Sequence, residues 1–575
     1  ADNNATIVSS DLLGGFPAET VSEALRRVSG VAFGRDGETG EGSRITVRGF
    51  SSEAINVQLN GLELQGTGFE RTIDLSGFLA ENISEVRIQK SLLPSMEATG
   101  SGGLVEIETK SGLDYGDFAI NFGIEGETGF DRDFGEEYQI NGTIAKKITD
   151  NFGIAGTVTF RKTNRRNYDI AIAGSAPFVI PDGFPSAGRV PPPAQFPYDE
   201  EFSDRLLTGA TYTTRERDEE NLLASINLAW DIGSHTKLRL DLQRNQRDFL
   251  TDTSRTVNRF LTASTILPIP ELSGEVRRRT AFTGFLPFIG LNKRDQELVS
   301  NSISLRGDTL LDRWTIKYKA GYNKTTSKSS NVNVSLNGNI NRDLTGILIP
   351  DSIVTNPDDD AAMTPRIVAG AFTTTSNGIP VSLLNADGQA YFSDPANYAI
   401  SSANRTSTDS PTEAYFAEGS LRYDFDTSFL NYLEAGFKYD RSERQSADER
   451  FATATVGTLR RDINYARIFG RNTSTNDIGS GFVNVVSLAD IGQDGILFPT
   501  FNTGSVEALF DGLAGLTEDD PSTPFNEERF RFTDATTLDP IQDVGGLIPA
   551  KTVEDRIAGY IQAKVEFGNF DATGG

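Results

Sequence analysis

Few residues of this 575-residue chain have the types and spacing that catalysis requires. His235 is its single histidine and cysteine is absent, so neither a histidine- or thiolate-based metal site nor a Ser-His-Asp triad can be assembled. The glycine-rich loop at residues 100–103 leads into an alternating strand pattern and not into a helix N-terminus, which argues against phosphate binding. The acidic run at residues 358–360 is either a Ca²⁺ contact or simply solvated. The sequence therefore predicts no catalytic residue, no metal site, no cofactor and no enzyme.

Charge and hydropathy restrict the class of protein further. The chain has 80 Asp and Glu against 54 Lys and Arg, a formal net charge of −26, which argues against nucleic acid as a partner. Mean hydropathy is −0.32, and no run approaches the roughly 18 apolar residues of a membrane helix. A transmembrane β-barrel stays open, because its strands need only about 10 residues that alternate between apolar and polar. The acidity fits solvated loops, or an anionic cell surface bridged by divalent cations.

The first 112 residues predict a small α+β module that precedes any strand array. Residues 16–31 predict a short amphipathic helix with Thr20 as N-cap and Gly30 as its stop. Its apolar positions are Val21, Ala24, Leu25 and Val28. Alternation then predicts strands around 45–47, 55–59, 86–88 and 104–109, with a tight hairpin turn at Asn60 and Gly61.

Later segments alternate along their whole length. Residues 314–323 (WTIKYKAGYN) carry apolar side chains on one face and polar ones on the other, and residues 556–567 (RIAGYIQAKVEF) repeat the pattern. A water-exposed sheet packed on one side would show the same pattern in a single strand. Its repetition favours strands that meet lipid on one face and water on the other.

The connections at one end of these strands are short, and those at the other end are long. Short turns rich in Asp, Asn and Gly lie near 149–151, 232–234, 311–312, 426–428 and 568–569, whereas long loops are expected at about 168–218, 250–294, 327–411 and 444–553. Outer-membrane barrels sort their loops in this way. About ten strands are predicted, with an eleventh beginning at Asn569, and a closed barrel needs a partner for its last edge. We therefore expect a C-terminally incomplete chain, and an already processed N-terminus because ADNNATIVSS is no leader.

Three motifs resemble a known family. ITVRGF (residues 45–50), VQLNGLEL (57–64) and EVRIQKSLLPSMEATGSGGLVEIETKS (85–111) are similar to the plug of TonB-dependent outer-membrane transporters. The resemblance implies an all-β transmembrane barrel of about 22 antiparallel strands with an N-terminal α+β plug in its lumen. Residues 1–112 would be the plug, and residues 113–575 the N-terminal part of the barrel. KSLLPSMEATGSGG is similar to a proteobacterial branch often linked to carbohydrate uptake.

The same resemblance implies a function. It predicts active import of a scarce or bulky nutrient across the outer membrane of a Gram-negative bacterium, with an oligosaccharide favoured and a ferric siderophore next. The implied partners are an inner-membrane TonB-type complex, outer-membrane lipid, lipopolysaccharide and the ligand, whereas no surface lipoprotein is identified. A TonB box is not evident in ADNNATIVSS. A passive porin, a surface receptor or adhesin, and a membrane-embedded enzyme are the alternatives.

Candidate site residues follow from that plug. Substrate contacts are expected at Phe50, Ser51, Gln65, Phe69 and Glu70 in the apex loops, where Phe69 either stacks on a sugar or packs as a buried staple.

Arginines and glycines of the plug have expected structural roles. Arg48, Arg71 and Arg87 are expected to pair with carboxylates of the barrel wall, and for Arg48 the alternative is that it stabilises its own domain. Special backbone angles or close approach to the wall are expected at Gly49, Gly61, Gly102 and Gly103.

Overall fold

The computed structural model describes the greater part of the chain. The described residues are 5–9, 20–26, 28–35, 42–64, 66, 73, 75, 83–93, 95–96, 102–128, 136–177, 205–267, 279–338, 341–350, 371–374, 380–383, 398–427, 429–453, 483–487, 497–501, 532–534, 550–567 and 570–574. Within these ranges, no helix has the length and apolar character needed to cross a membrane.

The N-terminal module is built around a five-stranded sheet. Its elements are β1 (Ala5–Ser9), α1 (Val21–Leu25), β2 (Val31–Arg35), β3 (Gly42–Val47), a 3-10 turn (Ser52–Ala54), β4 (Ile55–Leu59), β5 (Leu62–Glu63), β6 (Ile83–Gln89) and β7 (Gly103–Thr109). The strand order is β1-β6-β7-β4-β5, in which only β4 and β7 pair in parallel, and β2 and β3 form a separate hairpin. A mixed α+β module is thus present, as predicted.

Alternating apolar residues fill the core of this module. Leu25 of α1, Val47 of β3 and Ile88 of β6 are fully buried and belong to one cluster. The described helix is shorter than predicted, yet Val21, Leu25 and Val28 of its predicted face are buried, and Gly30 ends the segment with φ +80°. Strands β1 and β2 were not predicted, because ATIVS and VAFGR are too short to show a convincing period of two.

A large antiparallel sheet follows. Its long strands are β8 (Phe118–Thr128), β9 (Glu136–Thr149), β10 (Phe152–Pro177), β11 (Arg205–Ile232), β12 (Thr236–Leu267), β13 (Arg279–Leu311), β14 (Trp314–Gly338), β18 (Tyr398–Asp424), β19 (Leu430–Thr453) and β23 (Ala550–Phe567), followed by the short β24 (Phe570–Gly574). They pair in chain order from β8 to β24. The predicted ten strands and the start of an eleventh are confirmed within the described part of the chain.

Shorter strands lie in the connections. These are β15 (Asn341–Pro350), β16 (Ala371–Thr374), β17 (Pro380–Leu383), β20 (Val483–Ser487), β21 (Leu497–Phe501) and β22 (Phe532–Asp534). The long strands also run further than the dozen residues that we predicted: β13 has 33 residues and β12 has 32. Sequence alternation stops where both faces become polar, but backbone pairing does not require apolar side chains. Parts of the expected loops are therefore strand.

The two faces of the large sheet have inverted polarity. Large apolar side chains point outward into solvent, with Ile557 84% and Phe122 69% exposed, while polar residues such as Thr159 and Asn323 are buried on the other face. We call the face that contacts the N-terminal module the inner face and the opposite one the outer face. Trp314 and Ile557 lie on the outer face, as the alternation predicted.

Aromatic pairs mark two levels along the strands. Near the short turns, Trp314 stacks on Tyr423 with ring centroids 4.7 Å apart. Further along the same two strands, Tyr322 and Tyr415 are 4.8 Å apart. At about 3.4 Å per residue, the step from 314 to 322 spans roughly 27 Å along the strand. A strand tilt of about 35–45° reduces this height to roughly 19–22 Å, somewhat less than the ~25 Å apolar band that aromatic girdles enclose in membrane barrels.

The Asn60 and Gly61 turn gives the first testable prediction. Both residues have positive φ (51° and 78°), as a type I′ hairpin turn requires. A Cβ on Gly61 would also lie 3.0 Å from Cδ of Lys319 on β14. Gly61→Ala is therefore expected to lower the stability of the N-terminal module by roughly 1–2 kcal/mol. Scanning calorimetry measures this loss.

A matched control is Gly116→Ala, because a Cβ there meets nothing within 4 Å and no positive φ is involved. Equal unfolding temperatures for the two variants would contradict the assigned turn.

Candidate functional site between the N-terminal module and the large sheet

The N-terminal module is attached to the inner face by polar groups. Arg306 of β13 pairs with Glu108 of β7, Nη1 to Oε2, at 2.9 Å. Its Nη2 also donates to Oδ1 of Asn60 at 3.4 Å, and its Nε lies 3.8 Å from Oδ2 of Asp241 on β12. Arg306 is only 18% exposed, so solvent screens these interactions less than it screens surface pairs. One wall arginine thus connects two neighbouring elements of the module.

This network continues to the end of the module. Nδ2 of Asn227 donates to Oδ1 of Asp241 at 2.5 Å, and Oδ1 of Asn227 accepts the backbone N–H of Gly112 at 2.9 Å. At the same point, Gly112 packs against Gly153 of β10. A Cβ on Gly153 would lie 2.5 Å from the carbonyl oxygen of Gly112, so only glycine permits this backbone contact.

A second polar cluster surrounds Glu63, the last residue of β5. Arg556 of β23 donates from Nη2 to Oε2 of Glu63 at 3.0 Å, and Nζ of Lys438 lies 4.0 Å from the same oxygen. Lys438 also pairs with Asp440 at 3.4 Å, and Arg556 with Glu554 at 3.9 Å. Side chains in this cluster are 10–33% exposed, so it is neither fully buried nor freely solvated.

A third contact lies nearer the short turns. The backbone N–H of Ser95 donates to Oε1 of Gln562 at 3.2 Å. The amide nitrogen of Gln562 donates in turn to Oε2 of Glu434 at 3.1 Å, and Tyr560 donates its hydroxyl to the other oxygen of Glu434 at 2.7 Å. The wall thus preorganises the acceptor that receives the module's N–H.

One cavity lies between the two units. Its volume is about 40 Å³, and it is open to solvent. Residues of the module and of the wall line it together: Glu53, Ile55, Asn56, Val57, Glu63, Leu64, Ile73, Arg444, Glu554 and Arg556. Arg444 and Glu554 lie further from the short turns than Lys438 and Arg556 do. The cavity therefore opens toward the long connections.

Two of the predicted substrate contacts lie near this cavity in sequence. Phe50 is 48% exposed and bridges to Val47, and Ser51 is an exposed residue that precedes the 3-10 turn leading to Glu53. Gln65, Phe69 and Glu70 lie outside the described residues, as do residues 100 and 358–360. Whether Gln65, Phe69 and Glu70 meet Phe50 and Ser51 therefore stays a prediction.

The predicted contacts of the plug arginines need correction. Arg48 donates to the carbonyl oxygen of Lys90 at 3.1 Å, and Arg87 pairs with Glu85 at 2.5 Å and with Glu106 at 3.9 Å. These partners belong to the module itself, which for Arg48 was the alternative prediction. Arg71 lies outside the described residues. The ion pairs to the wall among the described residues have the opposite polarity, with carboxylates on the module and cations on the wall.

Four plug glycines and the histidine, singled out in the sequence, lie in described turns and close backbone contacts. Gly49, Gly61 and Gly103 have positive φ, and a Cβ on Gly102 would lie 2.6 Å from Cβ of Phe50. His235 lies in an exposed turn, where its ring contacts Ser234 Oγ at 3.2 Å. Among the residues that the structure describes, no group of three His, Cys, Asp or Glu is arranged to hold a metal ion.

Sequence reasoning missed Glu63, Glu108, Arg306, Lys438 and Arg556. The available signal was their position: each charged residue stands where strand alternation points it toward the inner face. Nothing in the sequence states which two of them meet.

Residues 1–103 match the family described as the TonB-dependent receptor plug domain. Three solved structures share distant overall likeness. The ferric yersiniabactin uptake receptor FyuA from Yersinia pestis is 10% identical, over 99% of this chain and 63% of that one, with a TM-score of 0.36. The ferric citrate transporter FecA is 10% identical, over 79% and 78%, with a TM-score of 0.27. The siderophore receptor PiuA from Acinetobacter baumannii is 12% identical, over 81% and 60%, with a TM-score of 0.31.

The N-terminal module thus matches a TonB-dependent receptor plug domain over residues 1–103, and it is joined to a large antiparallel sheet. The chain spans less than two thirds of the yersiniabactin receptor's length. We call the module the plug from here on.

The Glu63 cluster gives the second prediction. Glu63→Gln removes the charge that Arg556 and Lys438 share, so the plug should separate from the wall more readily. Because the chain has no cysteine, a Val57→Cys background supplies a single thiol in the plug core, where Val57 is 2% exposed. Thiol labelling is expected to be faster in Glu63→Gln, since labelling requires local opening.

Asp555→Asn is the control, because Asp555 pairs with Arg441 on the outer face beside Arg556. Unchanged labelling in Glu63→Gln, or equal acceleration in Asp555→Asn, would contradict a specific role of Glu63.

Proposed function

We propose that this protein imports a nutrient actively across the outer membrane of a Gram-negative bacterium. The plug occupies the inner side of a transmembrane barrel formed by residues 113–575, with residues 1–112 as the plug domain. An inner-membrane TonB-type complex supplies the energy, and solute enters from the side of the long connections. The protein is a transporter and not an enzyme.

The inverted polarity of the large sheet is the observation that carries this proposal. Its outer face exposes apolar side chains such as Phe122 and Ile561, between two levels of aromatic pairs. Lipid covers such a band, because a soluble sheet would bury it. Its inner face is polar and holds the plug through ion pairs and hydrogen bonds.

The nature of the plug attachment favours gating over a permanent seal. Partly exposed ion pairs contribute only about 0–1 kcal/mol each, so a plug held by several of them is stable in sum yet movable piecewise. A passive porin does not require such a plug, and an adhesin does not require a plug that contacts the inner face.

The cargo is an oligosaccharide or a ferric siderophore. The KSLLPSMEATGSGG motif favours the first. The second is the kind of cargo for which two of the similar proteins are named, the ferric yersiniabactin uptake receptor FyuA and the siderophore receptor PiuA. Growth of expressing cells on oligosaccharide as carbon source, compared with growth under iron limitation, separates the two.

Membrane insertion gives the third prediction. Ile561→Lys places a charge in the middle of the apolar band, where Ile561 is 65% exposed, and this should cost roughly 2–4 kcal/mol of stability in the bilayer. Folding into lipid vesicles, followed by heat-modifiable electrophoretic mobility, measures the loss. Gln445→Lys, beyond the band on the outer face, is expected to insert normally. If both variants insert equally, lipid does not cover this face.

Plug movement gives the fourth prediction. Cysteines at Glu63 and Arg556 can be joined by a short, reducible thiol cross-linker, since these side chains are 3.0 Å apart and the chain has no other thiol. Cross-linking should stop energised uptake and reductant should restore it. A second pair at Tyr439 and Ile557, which face each other on adjacent wall strands, tethers the wall alone. Uptake that continues through the cross-linked plug would reject gated transport.

A further inference from the structure

Five arginines gather on the inner face of four consecutive strands. Each shares its face with a residue that contacts the plug or lies in its polar network. On β10, Arg161 and Arg165 lie on the same face as Gly153, and on β11, Arg217 lies on the same face as Asn227. On β12, Arg247 lies on the same face as Asp241, and on β13, Arg294 lies on the same face as Arg306. No register shift interrupts these stretches. We call these five residues the arginine cluster.

Two carboxylates serve four of these guanidinium groups. Glu137 pairs with Arg165 at 2.8 Å and with Arg161 at 3.9 Å. Glu219 pairs with Arg217 at 3.1 Å and accepts two bonds from Arg247. Positive charge therefore exceeds negative charge among the described groups of this cluster.

The aromatic ring of Phe249 lies among three of the arginines. The guanidinium carbons of Arg217, Arg247 and Arg294 are 4.3, 5.6 and 6.0 Å from its centroid. Stacking on an aromatic face holds a guanidinium plane in place while its N–H edge keeps its hydrogen-bonding directions. The Phe249 ring therefore helps to orient these guanidinium groups.

Strand pairing places like charges side by side. Arg165 and Arg217 are direct cross-strand partners, and like charges in that relation destabilise a sheet. An oxyanion between guanidinium groups relieves this repulsion and accepts their N–H bonds in pairs.

The cluster has a buried base and a partly exposed rim. The side chains of Arg161, Arg217 and Arg247 are 5–8% exposed, whereas that of Arg165 is 26% exposed, and Phe249 and Arg294 are also partly exposed. An anionic group would therefore meet the rim first and buried guanidinium groups behind it.

The cluster lies on the long-connection side of the plug contacts. Arg294 is 12 residues beyond Arg306 on β13, and Arg217 is 10 residues beyond Asn227 on β11. At about 3.4 Å per residue, these steps are roughly 35–40 Å along the strands before tilt. Solute that enters from this side reaches the cluster before it reaches the Arg306 network.

We propose that the arginine cluster binds an oxyanion of the imported solute, and so selects a cargo that bears carboxylate, sulfate or phosphate groups. This inference rests on the proposed function for the direction of entry, but not for the chemistry of the site. An acidic oligosaccharide and an anionic ferric chelate share this chemistry.

Binding is tested on the full chain in detergent by calorimetry, with trigalacturonate, ferric citrate and neutral galactotriose as probes. At least one anionic probe is expected to bind about tenfold or more tightly than galactotriose, and Arg217→Gln is expected to lose about tenfold or more of that affinity. Lys162→Gln is the matched control, because Lys162 neighbours Arg161 but pairs with Glu220 on the outer face.

A second variant controls for the possibility that Arg217→Gln loses affinity because it misfolds. Arg217→Gln leaves Glu219 with fewer partners, so the double variant Glu219→Gln/Arg247→Gln removes a pair without a change of net charge. It is expected to fold, by heat-modifiable mobility, and to lose the same affinity.

The outcomes separate the site from the function. Binding of only one anionic probe supports the site and identifies the source of the oxyanion. Equal binding of galactotriose, no binding of either anionic probe, or unchanged affinity in both arginine variants overturns the proposal. Tight anion binding without plug-dependent uptake would contradict the transport function and support the anion site. Uptake of galactotriose alone would support the transport function and contradict the anion site.

Discussion

A backbone that crosses hydrocarbon has no water to bond with, so each strand must give its N–H and C=O groups to neighbouring strands. The proposed membrane location imposes this constraint on the large sheet, in which the long strands between β8 and β24 have a neighbour on each side. Once the backbone is fixed in this way, side chains alternate strictly between the outer and the inner face. Polar residues then accumulate on the inner face, and that face can hold another domain only through polar contacts.

The plug interface follows from this restriction. Arg306, Arg556 and Lys438 of the wall meet Glu108 and Glu63 of the plug, and Asn227 accepts an N–H from Gly112. Such contacts specify position through geometry, but each contributes little free energy when partly exposed. The approach of Gly112 to Gly153 is of another kind: it depends on shape and does not weaken with salt.

Sequence patterns predicted the fold better than the site. The alternation in residues 314–323 and the Asn60–Gly61 pair predicted the wall faces and the hairpin turn, because periodicity and turn chemistry are local. Strand length was underestimated, since paired strands such as β13 continue where both faces are polar. The partner of Arg48 could not be read from the sequence, because Lys90 lies 42 residues away and only the tertiary fold brings the two together, whereas Arg87 and Glu85 lie two residues apart on one face of β6.

The position of β1 has a mechanical consequence. Among the described strands it lies at the edge of the plug sheet and pairs with β6 alone, over five residues. A force applied at its N-terminal end can remove it without opening the β6–β7 or β4–β7 pairs, so the first break would leave the rest of the plug sheet intact. Removal of β1 exposes the backbone edge of β6 that it covered. Further unfolding of the plug then requires more force, because Ile88 of β6 belongs to the buried core.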